Sequence, residues 1–233
     1  MPTLDKTGQR QPGTGGLKVN IHIIMPFCRK HYTEKLTHYL EPMGIIWHPI
    51  CDAVDLEAFN YNEKPWIQPL LVPPLIIPGD QCYRKCNDFI DAGDIVDDDY
   101  YGFAHDDDMY NPEFIEKLKN QTAGVIFYSA SRGDSWATDD IGPYNWPPIP
   151  LLINSLDDVR IANIDMCQYF VKGRILRQTR FGNASVCDDG IYAEGLKNRW
   201  PEECLVMPEF GIYFNYFQPG RYTGKDGIPK PEM

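Results

Sequence analysis

The sequence predicts an α/β fold built on an open, mostly parallel β-sheet with helices on its faces. The run Val19–Met25 is nearly all apolar and rich in β-forming residues, which is typical of a buried parallel strand. A helical segment follows in KHYTEKLTHYLEPMG, and a second strand follows in IIWHPICD. Strand, helix and strand within about 35 residues form the βα unit of a parallel sheet.

The later segments continue this alternation, with Asn111 as the N-cap and Pro112 at the first position of one helix. The proline-rich KPWIQPLLVPPLIIPGD and the segment SRGDSWATDDIGPYNWPPIP are predicted as loops, and DIVDDDYYG as an acidic turn. The other predicted elements are helices in QCYRKCNDFIDAG, NPEFIEKLKN and CDDGIYAEGLKNRW, short strands in FAH and AGVIFYSA, and a helix followed by a strand in LDDVRIANIDMCQYFVKGRIL.

Composition and charge exclude some classes of partner. The 233 residues carry a net charge of 22 − 33 = −11, so duplex nucleic acid and anionic membrane surfaces are poor partners. No apolar run approaches the roughly 20 residues that span a bilayer, and the N-terminus lacks the pattern of a signal peptide. The seven cysteines show no disulfide framework, and Cys82 and Cys86 match neither a zinc knuckle nor a redox motif. We therefore expect reduced thiols and a cytoplasmic location.

The stretch FAHDDDMYNPEF places three carboxylates, Asp106 to Asp108, directly after a predicted strand. Ligands bind at the carboxyl ends of strands in open α/β sheets, and carboxylate oxygens suit Mg²⁺ or Mn²⁺. An extended backbone would turn Asp106 and Asp108 toward one pocket and Asp107 away from it. The alternative is a solvated acidic turn that favours the start of the next helix.

A second acidic pair, Asp188 and Asp189, begins the helix predicted in CDDGIYAEGLKNRW. A carboxylate opposite a metal-bound phosphate can act as the general base toward an acceptor hydroxyl. The alternative is a helix N-cap, for which aspartate is also common.

The ordered set of these motifs resembles the inverting GT-A glycosyltransferases of the family 2 type, which use nucleotide-sugar donors. The matching pieces are VNIHIIMPFCR, CNDFIDAGDIVDDDYYGFAHDDDMYNPEFIEKL and CDDGIYAEGL, within about residues 18–205. The resemblance implies a GT-A-like (Rossmann-like) open mixed sheet. Residues 1–17 are polar and glycine-rich and are expected to be a disordered tail, and residues 211–233 form an aromatic C-terminal tail. Between them we expect a nucleotide-sugar-binding half (18–128) and an acceptor-binding and catalytic half (129–210).

The resemblance also implies roles for individual residues. Asp108, with Asp106, would coordinate Mn²⁺ or Mg²⁺, while Asp189 would be the catalytic base with Asp188 beside it. Asp52 would accept a hydrogen bond from the base of the nucleotide. The other residues assigned to the donor are Pro26, Phe27 and Arg29 for the nucleotide pocket, Arg84 and Lys85 for the pyrophosphate, and Asp106 and Asp107 for the ribose or sugar.

The implied function is transfer of a sugar, with inversion, from a nucleotide sugar (UDP-linked by default) to a hydroxyl of a carbohydrate or glycan acceptor. Two features depart from the family pattern. All five histidines lie in the first half of the chain, so no C-terminal histidine can complete the metal site. The acidic pair is Asp-Asp-Gly rather than Glu-Asp, which leaves the choice between Asp188 and Asp189 open. Aromatic side chains could stack on sugars, namely Trp136, Tyr144, Trp146, Tyr213 and Tyr216.

Two other functions remain open from the sequence. A nucleotidyltransferase also uses paired aspartates and a divalent metal, but it usually has a glycine-rich basic loop that MPFCRKHYTEKL lacks. A non-enzymatic carbohydrate- or metal-binding module is the second. Calcium loops need spaced oxygen ligands and a turn glycine, whereas these three aspartates are contiguous.

Overall fold

The structure is a computed structural model that describes residues 19–26, 32–51, 64–72, 81–131, 151–161, 163–182 and 188–214. The predicted tail at 1–17 and the predicted loop at 132–150 lie outside these ranges. So does the C-terminal segment from residue 215 onward.

The described residues alternate between strands and helices, as the sequence predicts in outline. The predicted loop KPWIQPLLVPPLIIPGD differs, because it contains a two-residue strand at Leu70–Leu71. The strands are β1 Ile21–Pro26, β2 Ile46–Cys51, β3 Leu70–Leu71, β4 Tyr100–Phe103, β5 Met109–Tyr110, β6 Val125–Ser131, β7 Tyr169–Lys172 and β8 Cys204–Tyr213. The helices are α1 Thr33–Leu40, α2 Gln81–Ala92, α3 Pro112–Leu118, α4 Gly173–Leu176 and α5 Asp188–Arg199. The N-cap prediction is confirmed, because the Asn111 side chain accepts a hydrogen bond from the amide of Glu113 at 3.0 Å.

The strands described form one sheet in the order β3-β2-β1-β4-β7-β6-β8-β5. Four neighbouring pairs are parallel (β1–β2, β1–β4, β2–β3 and β6–β8), and three that involve β7 or β5 are antiparallel. The predicted α/β class with an open mixed sheet, mostly parallel and flanked by helices, is therefore confirmed.

The apolar run of β1 is explained by burial on both faces of the sheet. Ile21, Ile23 and Met25 pack in one core cluster with residues of α1 and α3, such as Leu36 and Phe114. On the opposite face, Ile24 packs in a second cluster with residues of α2 and α5. Helices thus cover both faces, so a strand in the middle needs no polar side for water.

The predicted boundaries of the fourth strand are wrong. β4 spans Tyr100–Phe103, so it starts within the segment predicted as an acidic turn and ends before Ala104. Both tyrosines are buried, and their hydroxyls have partners: that of Tyr100 donates to the carbonyl of Ala123 at 2.5 Å, and that of Tyr101 accepts from the amide of Val96 at 2.8 Å. Satisfied hydroxyls let these polar-tipped rings occupy a buried strand.

The prediction of a helix at the start of LDDVRIANIDMC is also wrong. Only a short 3-10 turn forms there, at Leu156–Asp158. The Asp158 carboxylate accepts hydrogen bonds from the amides of Asn154 and Ser155 at 2.9 and 3.0 Å. Such local side-chain hydrogen bonds compete with helix propagation. Among the helices described, none is both long and apolar enough to cross a membrane.

A buried polar cluster joins β1, β2 and the start of β4. His22 Nδ1 lies 2.8 Å from His48 Nε2, and His22 Nε2 lies 3.2 Å from Asp99 Oδ2. Burial lowers the pKa of His22, although the hydrogen bond to Asp99 opposes this. Burial, and then the neighbouring His22, lower the pKa of His48 to about 3.

This cluster predicts a loss of stability in acid. The unfolded chain takes up protons near the ordinary histidine pKa of about 6.5, while the folded chain resists protonation. The free energy of unfolding should therefore fall as the pH drops from about 6.5 toward 3, by up to about 4 kcal/mol for His48 alone, since one pKa unit is worth about 1.4 kcal/mol. Urea unfolding measured at several pH values tests this.

Two leucine variants separate His48 from other sources of acid sensitivity. In His48→Leu the pH dependence over this window should be weaker. In His38→Leu, which replaces an exposed histidine on α1, it should be unchanged. If the free energy of unfolding depended on pH equally in His48→Leu and in the unmodified chain, the acid sensitivity could not be attributed to His48.

Candidate active site

The acidic triplet lies at the carboxyl edge of the parallel strands. Ile24 near the end of β1 pairs in register with Phe103 at the end of β4. The chain then turns, with the amide of Asp108 donating to the carbonyl of His105 at 3.3 Å. Because parallel strands end at the same edge, this turn stands beside Pro26, the buried last residue of β1.

All three aspartates of the triplet are buried, with only 2%, 1% and 2% of Asp106, Asp107 and Asp108 exposed. A solvated acidic turn is therefore excluded. The expectation of an extended backbone is wrong as well, since Asp106 and Asp107 occupy the centre of the turn. Burial of three adjacent carboxylates is costly unless they are hydrogen-bonded or neutralised, so this turn is built for more than solubility.

His105 holds Asp108 in place. The Oδ2 atom of Asp108 accepts from the backbone amide of His105 at 3.0 Å and lies 3.1 Å from its ring Nδ1. Burial lowers the pKa of His105, but hydrogen bonds to Asp108 and Cys82 outweigh it and place the pKa well above its usual value. The raised pKa favours the protonated imidazole beside the buried carboxylate.

The second acidic pair opens α5 and has two different environments. Asp188 is buried, and its carboxylate lies against Gly182. Asp189 is partly exposed, and its Oδ1 accepts from the amide of Gly190 at 2.7 Å. Burial, followed by the negative charge of Asp165, raises the pKa of Asp189 to about 7, against the lowering effects of the Gly190 amide and His105.

Asp165 is an acidic residue near this site that no local sequence pattern indicates. It lies in the loop before β7, where its Oδ1 is 3.3 Å from the Cys167 thiol. The charges of Asp165, Asp108 and Asp189 all act on that buried thiol and raise its pKa, after the larger effect of burial. The charges of three carboxylates from separate parts of the chain therefore all reach the Cys167 thiol.

Helix α2 holds Phe181 through two hydrogen bonds. The Asn87 side chain donates to the carbonyl of Phe181 at 3.0 Å and accepts from its amide at 2.9 Å. Tyr83 stacks on Phe181, with ring centroids 5.4 Å apart, and hydrogen-bonds to the backbone of Asp189. Burial raises the pKa of Tyr83 well above its usual value, so this phenol stays protonated.

Three further predicted site residues lie within the described ranges. Arg84 is exposed and Lys85 half-buried, both in the first half of α2 near Cys82. Tyr213, at the end of β8, is only 5% exposed and offers little surface to a sugar ring. Outside the described ranges lie Phe27, Arg29, Asp52, Trp136, Tyr144, Trp146 and Tyr216.

Sequence patterns alone give no reason to group Asp165 or Tyr83 with the acidic triplet and the acidic pair, whereas His105 is expected to lie beside the triplet. Asp165 fell in a segment predicted as helix, and Tyr83 lay among the residues of a helical face. His105 was the only one with a usable signal, since it directly precedes the triplet.

The carboxylate oxygens at this site suit a hard divalent cation. Within the described ranges, no group of three or more histidine, cysteine, aspartate or glutamate side chains is arranged as a metal site. A magnesium-type ion needs fewer protein ligands, because it keeps several waters and takes one or two carboxylates plus substrate phosphates. Asp106 and Asp108 are two buried carboxylates of one turn, so their chemistry fits Mg²⁺ or Mn²⁺.

Two glycines allow the packing of Asp188 to be tested. A Cβ atom at Gly182 would lie 2.8 Å from the buried Asp188 Oδ1, whereas one at Gly195 in α5 would have no atom within 4 Å. We expect Gly182→Ala to shift the Asp188 carboxylate and to lower catalytic activity by about 10- to 100-fold, since small displacements in a site are costly.

Gly195→Ala is the matched control for this prediction. It should leave activity unchanged and raise the free energy of unfolding by about 0.5–1 kcal/mol, because alanine favours a helix. Steady-state kinetics and urea unfolding of both variants provide the measurements. Full activity in Gly182→Ala would show that the position of Asp188 is unimportant.

Comparison with known proteins supports the fold. No protein-family model matches the sequence, and no curated protein matches it either. The crystal structure of S. aureus TarS 1–349, which is of the GT-A type, superposes with a TM-score of 0.55 and 13% identity. The aligned region covers 84% of this chain and 60% of TarS 1–349.

The fold is GT-A-like. Two further structures give weaker likenesses. One is 4-diphosphocytidyl-2C-methyl-D-erythritol synthase (TM-score 0.48, 12% identity, 83% of this chain and 91% of the other). The other is the inositol-1-phosphate CTP transferase from T. maritima (TM-score 0.40, 11% identity, 84% of this chain and 89% of the other). Because both TM-scores are below 0.5, we draw no conclusion from these two structural similarities.

Proposed function

We propose that this protein is a transferase that uses a nucleotide sugar, and specifically a metal-dependent inverting glycosyltransferase. The donor is a nucleotide sugar, UDP-linked in the first instance, and the acceptor is a hydroxyl group of a carbohydrate or glycan. One observation carries the proposal. Asp106 and Asp108 are both buried in one turn directly after β4 of a GT-A-like sheet, where His105 holds the Asp108 carboxylate.

Asp189 is the general base. Its pKa of about 7 means that a large fraction is ionised at neutral pH, yet the carboxylate is basic enough to accept a proton. One oxygen of Asp189 takes the proton of the acceptor hydroxyl as that hydroxyl oxygen attacks the anomeric carbon. The bond to the nucleoside diphosphate breaks on the opposite face, so a single displacement inverts the configuration.

Asp188 is a positioning residue rather than the base. It is 3% exposed and wedged against Gly182, so an acceptor hydroxyl cannot approach it easily. Asp189 is adjacent and partly exposed, and Tyr83 hydrogen-bonds to its backbone. This difference in access supports Asp189 over its neighbour.

Asp108 and Asp106 are the proposed ligands of Mg²⁺ or Mn²⁺. When bound, such an ion offsets negative charge on the diphosphate leaving group. Asp108 is oriented for this role by its hydrogen bonds to His105, which fix one carboxylate oxygen. Pro26, Phe27, Arg29, Asp52, Arg84, Lys85 and Asp107 stay predictions as donor-binding residues.

Release of the nucleoside diphosphate tests the proposal. The protein is incubated with UDP-, GDP- and dTDP-sugars, with and without Mn²⁺, and the nucleotides are separated by anion-exchange chromatography. Slow metal-dependent release of a nucleoside diphosphate is expected even without an acceptor, because water can replace the hydroxyl group.

A parallel reaction tests the nucleotidyltransferase alternative. The protein is given CTP or UTP with a sugar 1-phosphate, and pyrophosphate is measured. Pyrophosphate release, without any hydrolysis of nucleotide sugars, would overturn the glycosyltransferase proposal in favour of nucleotidyl transfer.

A further inference from the structure

Phe181 contacts both of the elements that carry the acidic residues of the candidate site. Its ring is stacked on that of Tyr192 in α5, with centroids 4.1 Å apart and an interplanar angle of 13°. It also packs edge-on against Phe103, the last residue of β4, at a centroid distance of 5.0 Å. The acidic triplet follows β4 and the acidic pair begins α5, so this one ring lies between the two elements.

The next residue, Gly182, supports the carboxylate of Asp188. The position of a Cβ atom at Gly182 is 2.8, 3.0 and 3.1 Å from the Oδ1, Cγ and Oδ2 atoms of Asp188. The whole carboxylate group therefore packs against the glycine. The positions of residues 181 and 182 thus limit where Asp188 can lie, and Asp189 is its neighbour in α5.

Neither a helix nor a strand holds the backbone of Phe181. The residue lies in irregular chain and is 3% exposed, so its amide and carbonyl need partners inside the protein. The side chain of Asn87 supplies both, because its Oδ1 accepts from the Phe181 amide at 2.9 Å and its Nδ2 donates to the Phe181 carbonyl at 3.0 Å. Among the described residues, no other hydrogen bond holds this backbone.

Asn87 and Tyr83 hold Phe181 from the same face of α2, since they are one helical turn apart. Asn87 binds the backbone, while the Tyr83 ring stacks on the Phe181 ring with centroids 5.4 Å apart. An asparagine suits this position because its amide carries a donor and an acceptor side by side. An aspartate would keep only the acceptor, and a leucine of similar shape would have neither.

We propose that Asn87 is a positioning residue for the acidic pair: it fixes the Phe181 backbone and, through Phe181 and Gly182, sets the position of the start of α5. Asn87 acts through these neighbours and needs no contact with a substrate. Its importance for catalysis rests on the proposed function, in which Asp189 at the start of α5 is the general base.

Hydrogen exchange of the full chain, followed by mass spectrometry, tests the positioning without any substrate. In Asn87→Leu, peptides from residues 178–182 and 188–196 should exchange about tenfold faster than in the unmodified chain, because buried backbone groups of Phe181 lose their partners. Peptides from α3 should exchange at the unchanged rate. No acceleration in α5, or equal acceleration in α3 and α5, would overturn the inference.

Asn87→Asp is the second variant, and it decides the test if Asn87→Leu does not fold. Its carboxylate can still accept from the Phe181 amide but cannot donate to the Phe181 carbonyl. The same local acceleration at 178–182 and 188–196 is expected, with α3 unchanged. Normal exchange in α5 of Asn87→Asp would contradict the requirement for both hydrogen bonds.

Ile175→Val is the control for a general loss of stability. Ile175 is buried in the same core cluster as Phe181, and the change removes one methyl group. It lies in α4 directly after β7, whose last residue, Lys172, pairs with Tyr100 at the start of β4. It is therefore at the edge of the sheet opposite the acidic triplet. Any change of exchange in Ile175→Val should be equal in α3 and α5, and a selective acceleration in α5 would overturn the specific role of Asn87.

Kinetics with a donor found in the release assay extend the test to the reaction. In Asn87→Leu, kcat should fall by about 10- to 100-fold because the base is displaced, while KM for the donor stays within about twofold. A raised KM with an unchanged kcat would overturn the positioning of the base. Hydrogen exchange needs no donor, so a lack of any sugar transfer would overturn the proposed function while the exchange result still decides the role of Asn87.

Discussion

Replacing Asp189 with asparagine is expected to abolish sugar transfer while donor binding is retained. The amide has nearly the same shape as the carboxylate and can still accept the hydrogen bond from the Gly190 amide, but it cannot take a proton. Loss of a general base usually costs about 10²- to 10⁴-fold in rate. A rate assay should therefore show the loss of transfer, while calorimetry should show an unchanged affinity for the donor. Loss of donor affinity in Asp189→Asn would refute its assignment as the base.

The pH dependence gives an independent test of the same residue. Because the pKa of Asp189 is raised to about 7, the transfer rate should fall as the pH drops below 7 and the base becomes protonated. Asp165 contributes to that shift through its negative charge. In Asp165→Asn the pKa of Asp189 should be lower, so the fall in transfer rate should begin at a lower pH. If the transfer rate of this variant fell at the same pH as in the unmodified chain, the coupling between the two carboxylates would be contradicted.

Replacing Asp108 with asparagine is expected to remove the metal-dependent part of donor binding. In the unmodified chain, Mn²⁺ and a nucleotide sugar at about 100 times the dissociation constant should stabilise the fold by about 2.7 kcal/mol. For a chain of this size that corresponds to roughly 5–10 °C in melting temperature. In Asp108→Asn, the shift with Mn²⁺ should equal the shift without it.

Asp94→Asn is the control for the Asp108 variant. It makes the same change of charge at an exposed position beyond the end of α2, and its thermal shift should match that of the unmodified chain. An Asn side chain at position 108 can still accept from the His105 amide, so the fold should survive. A full Mn²⁺-dependent shift in Asp108→Asn would remove this residue from the metal site.

The parts of the fold that follow a local pattern could be predicted from the sequence. The apolar run of β1, the faces of α1 and α2, and the cap at Asn111 each depend on residues close together in the chain. β8 could not be predicted, because it carries Pro208 and Glu209 and contains register shifts against β6. Its stability comes from pairing with a strand some 80 residues earlier, which leaves no local signal.

In the candidate site, too, only the residues that form a local pattern could be predicted from the sequence. The acidic triplet and the acidic pair stand out as clusters of like charge directly after a strand and at the start of a helix. Their convergence, the pKa of Asp189 and the hydrogen bond from His105 depend on burial and on Asp165, which lies alone in a loop. A single aspartate in a loop carries no signal of its own until the fold brings it near the others.

We propose that the buried carboxylates at the sheet edge hold a divalent cation that bridges to a sugar-bearing diphosphate. A crystal of the full chain grown with Mn²⁺ and UDP tests it most directly, through anomalous scattering at the manganese edge. The account predicts an anomalous peak within about 2.5 Å of an Asp108 or Asp106 oxygen and of the diphosphate. A nucleotide bound without manganese at these carboxylates, or manganese bound only elsewhere, would contradict it.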